Sequence, residues 1–420
     1  MRSAAALDQA DPLARFRGEF HLPPGQIYLD GNSLGLLSRR TEAHLSRVLG
    51  EWRRHGINGW TDATPPWISL SETIAAQLAP LVGAAPDEVA VTGSTTTNLH
   101  QLLATLFDPA APRRIIVADE LNFPSDLHAL QSHLRLRGLD PAKHLRLVRS
   151  HDGRTLRAAD IVAALTPDVQ LLVLSLVQYT SGQLLDAAAL TREAHARGIL
   201  IGFDCSHSIG AVPHALDAAG VDFAFWCSYK YLNAGPGAVG GLYLNRRHFG
   251  RAPGLAGWWG VRPDRRFALS GQHEPAAGAS ALHIGTPHLL SLAPLQGSLE
   301  IIAEAGGITP LRAKSLALTT YLMELAETEL AGGGFSIVSP RPDAERGGHV
   351  TLAHPDAWRI CSALKAAAVV PDFRPPDMIR LAPAPLYTSF AECAEAIARL
   401  KEIMRTKAHE KFPSARPLVT

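Results

Sequence analysis

Between Pro86 and Asn245 short apolar runs alternate with longer amphipathic ones, and this alternation constrains the fold more than any other feature of the 420-residue chain. The runs Glu88–Val91, Arg114–Val117, Leu145–Arg149, Leu171–Val177, Ile199–Asp204, Phe223–Trp226 and Gly241–Leu244 read as strands. The spacing predicts helices between them over Asn98–Phe107, Ser125–Arg137, Ala158–Leu165 and Ala187–Arg197. Strands joined by crossover helices form a mainly parallel sheet covered on both faces. Such sheets bind ligands at the carboxyl ends of their strands, so the residues just past each run carry the functional information.

After Asn245 the texture changes. A Gly- and Pro-rich stretch, Arg251–Pro287, precedes a helical stripe of Leu311, Leu318, Leu322 and Leu325 that is expected to end at Gly332, Gly333 and Gly334. Strand-like Phe335–Val338 and Gly348–Ala353, a helix over Ala357–Ala367 and a last helix over Ser389–Met404 then read as a smaller α+β unit. The tail Ala408–Thr420 is expected to be loosely held. The fold class is therefore α/β, with a mainly parallel seven-stranded sheet and a smaller α+β domain.

The net charge of +1 supplies no field for nucleic acid or an anionic membrane, so small neutral or zwitterionic partners are expected. No apolar run approaches the roughly 20 residues of a membrane span, and Met1–Arg17 lacks the apolar core of a signal peptide. A cytoplasmic location is the expectation. Cys205, Cys227, Cys361 and Cys393 show no paired spacing and are expected to be reduced and mostly buried.

Three strand ends carry chemistry. The run Phe223–Trp226 leads into Ser228, Tyr229 and Lys230, and a lysine in a desolvated pocket at that place can form a Schiff base. Ile199–Phe203 leads into Asp204-Cys-Ser-His207, where a carboxylate can hold a protonated pyridine nitrogen and keep the ring an electron sink. Asp204, Cys205 and His207 could instead take a metal, but the chain has no His-Glu-x-x-His and no paired-cysteine motif, so no metal is expected. Glu88–Val91 leads into Gly93-Ser-Thr-Thr-Thr-Asn98, hydroxyls at a helix start that serve as a cap or as a phosphate site. Singly these features have ordinary structural explanations, whereas together they are the contacts that pyridoxal phosphate requires.

With these motifs in place the chain resembles kynureninase, a family of fold-type-I pyridoxal-phosphate enzymes, here of the bacterial type. The resemblance runs from Tyr28-Leu-Asp-Gly-Asn-Ser-Leu-Gly35 through Phe123-Pro-Ser-Asp126, Asp204-Cys-Ser-His207, Ser228-Tyr-Lys-Tyr-Leu-Asn233 and Gly257-Trp-Trp-Gly260 to Asp372-Phe-Arg-Pro-Pro-Asp-Met-Ile-Arg380. It implies Lys230 as the Schiff-base lysine and Asp204 as the partner of the pyridine nitrogen. Phe123 would stack on the cofactor ring, with Pro124, Ser125, Asp126, Ser175 and His207 around it. Thr95, Thr96 and Tyr229 would hold the phosphate, joined by Trp258 and Thr286 from a neighbouring subunit, which makes a homodimer with shared sites the expected assembly. Arg380 would clamp the substrate carboxylate, a task for which a guanidinium fork suits better than an ammonium. Asn32, Ser33, Trp60 and Gly285 would lie near the aromatic end of the substrate. Residues 61–305 would form the large cofactor-binding domain, and 1–60 plus 306–420 the small one.

The implied reaction is hydrolysis of L-kynurenine to anthranilate and L-alanine in tryptophan catabolism, with 3-hydroxykynurenine as a second candidate substrate. In it Lys230 takes the Cα proton and Tyr229 donates one. Two departures from the family pattern are Ser206, where an alanine is usual, and Val261, where a histidine is usual. Trp258 and Trp259 lack core periodicity and read as interface residues. Cysteine desulfurase is a competing reading, but its thiol needs a mobile loop, and Cys361 shares a helical face with Ile360 and Leu364. A non-catalytic scaffold is a third reading, against which a carboxylate clamp argues.

Overall fold

A computed structural model describes residues 3–414. Its large sheet is built from β1 Val89–Val91, β2 Ile115–Asp119, β3 Leu145–Val148, β4 Val169–Ser175, β5 Leu200–Asp204, β6 Phe223–Trp226 and β7 Gly241–Leu244. Their order is β1-β7-β6-β5-β4-β2-β3. The pairs β2/β3, β2/β4, β4/β5 and β5/β6 are parallel. The strand β7 runs against both β6 and β1, because the loop from Cys227 to Gly240 returns the chain without a crossover helix. Every strand expected from the alternation is present, each within two residues of its expected start.

Period-two alternation sorts the side chains onto two buried faces. Leu172, Leu174, Ile201, Phe203 and Trp226 join one core cluster, while Leu171, Val173, Phe223 and Phe225 join another. Helix α1, Thr95–Leu106, packs on α2, Pro124–Leu136, and both contribute to the second cluster. A glycine at 202 is what lets the Phe223 ring lie across β5, since a Cβ there would stand 2.1 Å from the ring.

The smaller unit holds β8 Ser336–Ile337, β9 Val350–Ala353, β10 Asp372–Arg374 and β11 Met378–Leu381, antiparallel in the order β10-β11-β9-β8. Helices α3, Ile308–Glu329, and α4, Phe390–Arg405, pack on each other over its core, and Leu318, Leu322 and Leu325 of the expected stripe lie in that core. Ser389 starts α4 with a capping box: its hydroxyl accepts from Glu392 N and its own N–H donates to the Glu392 carboxylate. Ile27 and Leu29 belong to this core, whereas Leu13, Phe16 and Phe20 belong to the large one, so the N-terminal segment crosses between them.

Two expectations need correction. The helix α3 ends at Glu329 and not at the glycine run, because Leu330 already leaves helical geometry and its N–H closes the last turn on Ala326. The tail is held as far as Phe412: Ala408–Lys411 form a turn that buries His409, and the Phe412 carbonyl accepts from Arg359 Nε at 2.9 Å. Residues 415–420 of that tail lie outside the described residues. All four cysteines are buried. Among the described residues no helix is long and apolar enough to cross a membrane.

Candidate active site

The ends of β1, β2, β4, β5 and β6 converge on a cavity of about 200 Å³. One wall is made of hydroxyls at two helix starts. Thr95 and Thr96 open α1, Ser125 lies in the first turn of α2, and Thr96 Oγ1 meets Ser125 Oγ at 2.6 Å. Two helix N-termini aimed at one space, with free backbone N–H groups and hydroxyls, suit a phosphate.

The opposite end is acidic. Asp204 accepts from Ser206 N at 2.8 Å. Burial, then the charge of Asp204 and a hydrogen bond to it, hold the Asp126 carboxyl well above the usual carboxylate range, with Lys230 opposing. Asp126 is therefore a carboxyl that favours its proton. Behind them Asp119, fully buried and accepting from Gln178 Nε2 at 3.3 Å, is pushed by burial up to about 7.

Lys230 enters between these ends. Its Nζ lies 6.0 Å from the Phe123 ring centre and 5.9 Å from that of Tyr229. Phe123 caps the start of α2 and meets Tyr179 edge-on at 5.3 Å. Burial raises the Tyr229 phenol strongly, with the Cys227 thiol adding to the effect, so the hydroxyl keeps its proton. His207 is buried and neutral, its pKa driven well down by burial and then by Lys230, and its Nδ1 has no partner. Ser175 donates to Asn122 Oδ1 at 2.9 Å at the end of β4.

Gly35 locks the N-terminal segment onto the lysine. Its N–H donates to the Tyr229 carbonyl at 2.7 Å, and a Cβ at this position would stand 2.4 Å from the Lys230 carbonyl oxygen. Backbone cannot yield as a flexible side chain does, so Gly35→Ala moves the loop that carries Tyr229 and Lys230. The expected result is a fall in kcat of about 10²-fold with a still cooperative thermal transition, read by steady-state kinetics and calorimetry on the same preparation.

Arg380, on β11, is fully buried. Its Nε donates to Asp372 at 2.6 Å, one terminal nitrogen to the Tyr179 carbonyl at 2.6 Å, and the other to Ser33 Oγ at 3.0 Å and to Asp372. Tyr179 thus joins the two regions, with its ring on the cavity wall and its carbonyl on the guanidinium. Asn32 is buried nearby in sequence with neither end of its amide partnered.

The profile of the family described as "Kynureninase C-terminal domain" matches residues 311–400. A "Kynureninase" from Geobacillus thermodenitrificans (strain NG80-2) is 57% identical over 416 residues, 99% of this chain and 97% of that protein. The chain belongs to the kynureninase family. Another "Kynureninase", from Shouchella clausii (strain KSM-K16), is 53% identical over the same shares. Among solved structures, the cystine C–S lyase C-DES in complex with cysteine persulfide has a TM-score of 0.78 at 19% identity, covering 90% of this chain and 98% of that one. A cysteine desulfurase from Thermococcus onnurineus NA1 gives 0.77 at 17%, over 97% and 99%. At such identities the structural likeness establishes the fold alone, that of the fold-type-I enzymes.

The kynureninase-family motifs do not all meet in one cavity. Thr95, Thr96, Phe123, Ser125, Asp126, Ser175, Asp204, His207, Tyr229 and Lys230 line it, and Pro124 opens α2 beside them. Gly285 and Thr286 line an adjoining space of about 520 Å³ that shares Ser94, Tyr229 and Ala238 with it. Trp60 is wedged between Trp67 and Trp259, with ring centres at 6.1 and 5.4 Å, and does not line the main cavity. Trp258 is half-exposed and donates to the Arg266 carbonyl at 3.0 Å. Trp259, expected at an interface, is instead buried in its own chain, with the Arg266 guanidinium stacked on its ring at 4.0 Å. Ser206, the departure from the family's alanine, accepts from Cys227 N at 3.3 Å and so ties the ends of β5 and β6. Val261 bridges to Pro275 at the rim of the tryptophan loop. Tyr179 and Asn122 were missed: both follow strand ends, and the rule that found Asp204 reaches them when extended past Ser175 and Asp119.

Proposed function

We propose that this chain hydrolyses L-kynurenine to anthranilate and L-alanine with pyridoxal 5′-phosphate as cofactor. The observation that carries the reading is the meeting, in one cavity, of a lysine, a pair of carboxyl groups and two hydroxyl-lined helix starts. The donor set fits the cofactor: Asp126 Oδ2 and His207 Nδ1 are buried without partners beside it. Thr95, Thr96 and Ser125 would hold the phosphate, Asp204 the pyridine nitrogen, and Phe123 the ring face. When bound, the cofactor supplies a sink for the electron pair left by a broken Cα–H bond.

The protein's own groups then divide the work. Arg380 orients the substrate through its carboxylate, and Lys230 Nζ takes the Cα proton. Water adds to the γ-carbonyl, the Cβ–Cγ bond breaks to release anthranilate, and Tyr229, kept protonated by burial, gives its phenolic proton to the carbon that becomes the alanine methyl group. Cys361, the thiol of the desulfurase alternative, sits buried on the helix Ala357–Ala366 with its pKa raised, where it cannot reach a substrate.

Half-exposed Trp258 with Phe267 and Leu269 beyond it form an apolar surface that supports a homodimer, in which Trp258 and Thr286 of one chain would serve the other's site. Residues 61–305 would be the cofactor-binding domain, with 1–60 and 306–420 the smaller one. A cytoplasmic role in tryptophan catabolism completes the reading. Adding kynurenine to the holoenzyme should release fluorescent anthranilate and an equal amount of alanine. Sulfide released from cysteine without anthranilate from kynurenine would overturn the proposal. The same assay with 3-hydroxykynurenine, compared as kcat/KM, is expected to favour kynurenine, because Trp60 with the Gly285–Thr286 pair resembles the bacterial type.

A further inference from the structure

A partly buried, charge-balanced cluster surrounds Arg380, and one member of it has no role in the reaction as derived above. Arg380 and Arg374 supply two cations. Asp372 pairs with both, while Asp30 lies beside them at the end of the N-terminal segment, linked to Arg380 through Ser33. The link is a relay: the guanidinium donates to Ser33 Oγ at 3.0 Å, and the Ser33 hydroxyl bonds to the Asp30 carboxyl. The segment is pinned there, since Ser33 N donates to Asp30 O at 3.0 Å and Ala382 N donates to Leu29 O at 2.8 Å. Asp30 Oδ1 is buried without a partner.

Two cations and two carboxylates balance. A substrate carboxylate arriving at Arg380 makes three anions against two cations around a fully buried guanidinium, where an uncompensated charge is costly. We propose that Asp30 takes up a proton from solvent as the substrate carboxylate docks, so that one O–H bond forms on Asp30 and the cluster returns to neutrality. This rests on the reading that Arg380 holds the substrate carboxylate.

The surroundings single out Asp30 for the task. Tyr28 on its own segment is pushed up to about 12, and Tyr231, Tyr387 and Cys361, which face it from other elements, are held neutral by burial. His207 and His349, across the guanidinium, are neutral as well, His349 being held down at about 3. Arg374 and Arg380 are cations, and Asp372 is tied to both. Burial, with Asp372 adding to it, brings Asp30 to about 6 before any further anion arrives. A new negative charge raises it again.

The test is calorimetric titration of the holoenzyme with L-2-amino-4-phenylbutanoate, which keeps the amino-acid group and the aryl ring but lacks the carbonyl that is cleaved. Runs in two buffers of different ionisation enthalpy count protons. Wild type should take up more protons at pH 7.5 than at pH 5, by an amount approaching one, and its affinity should fall about tenfold or more between pH 6 and 8. Asp30→Asn should abolish both differences and Asp30→Glu should restore them, which a merely structural role would not do. A pH dependence that survives in Asp30→Asn overturns the proposal. So does a wild-type proton count that does not change with pH, a result that needs no variant to fold. Arg380→Gln separates the two readings: if it binds the probe as tightly as wild type, the carboxylate clamp itself fails. If it loses affinity at every pH while Asp30→Asn keeps the slope, only the role of Asp30 fails.

Discussion

Lys230→Ala is expected to lower kcat by about 10³-fold or more and to abolish the visible absorbance of a covalently held cofactor. The lysine is the one amine in the cavity, and it is placed between the hydroxyl wall and the carboxyl pair, with aromatic rings at 6.0 and 5.9 Å. No neighbour can substitute: His207 points an unprotonated ring into the same space, and Tyr229 keeps its proton. The variant should still fold, because the bonds that fix its loop, from Gly35 N to the Tyr229 carbonyl and from Asn233 N to the Lys230 carbonyl, are made by backbone and not by the lysine side chain. Turnover within tenfold of wild type, or a persisting visible band after dialysis, would contradict the assignment. Cofactor added to the variant should still bind through its phosphate, and fluorescence quenching of the nearby aromatic residues would register it.

Lys230 and Asp204 were legible in the sequence because the signal is local. An apolar run ends, a chemically capable residue follows, and the geometry of a parallel sheet brings such ends to one edge. The strands were legible for the same reason, with period-two or fully apolar runs bounded by turns. What the sequence did not carry is the partnership of residues brought together from far apart. Arg380 alternates with Ile379 and Leu381, a pattern that fits solvent or a pocket equally; only the fold shows it buried, donating to Asp372, Ser33 and the Tyr179 carbonyl. Trp259 failed for a related reason. It has no periodic neighbours, and its burial comes from Arg266 and Trp60, contacts that a Gly-rich loop makes possible without a regular element. The antiparallel course of β7 follows from a loop that carries no crossover helix, a feature that seven apolar runs alone do not specify. The domain boundary was hardest to read, because one segment, Leu13 to Leu29, places its apolar residues in both cores.

Asp204→Asn should lower kcat by about 10²-fold, and the size of the effect depends on Asp126. In wild type Asp204 is a cause of the raised Asp126 pKa through both charge and hydrogen bonding. Removing the Asp204 charge removes those two causes, while Lys230 still favours ionisation of Asp126. Asp126 then ionises at a lower pH and supplies part of the missing negative charge, so the single variant retains residual activity that rises with pH. The double variant Asp126→Asn, Asp204→Asn has no such reserve, and its loss should exceed the product of the two single losses. The same pair sets a stability term in the cofactor-free protein. Asp126 has a folded pKa above its unfolded value, so its contribution is full below about pH 4 and is lost as pH rises through the folded pKa. Asp126→Asn should therefore raise the melting temperature of the cofactor-free protein at neutral pH and leave it little changed at pH 4. Differential scanning calorimetry across that range decides the point: parallel curves for wild type and variant would mean that Asp126 titrates in the folded protein as it does in the unfolded chain, and that burial beside Asp204 does not raise its pKa.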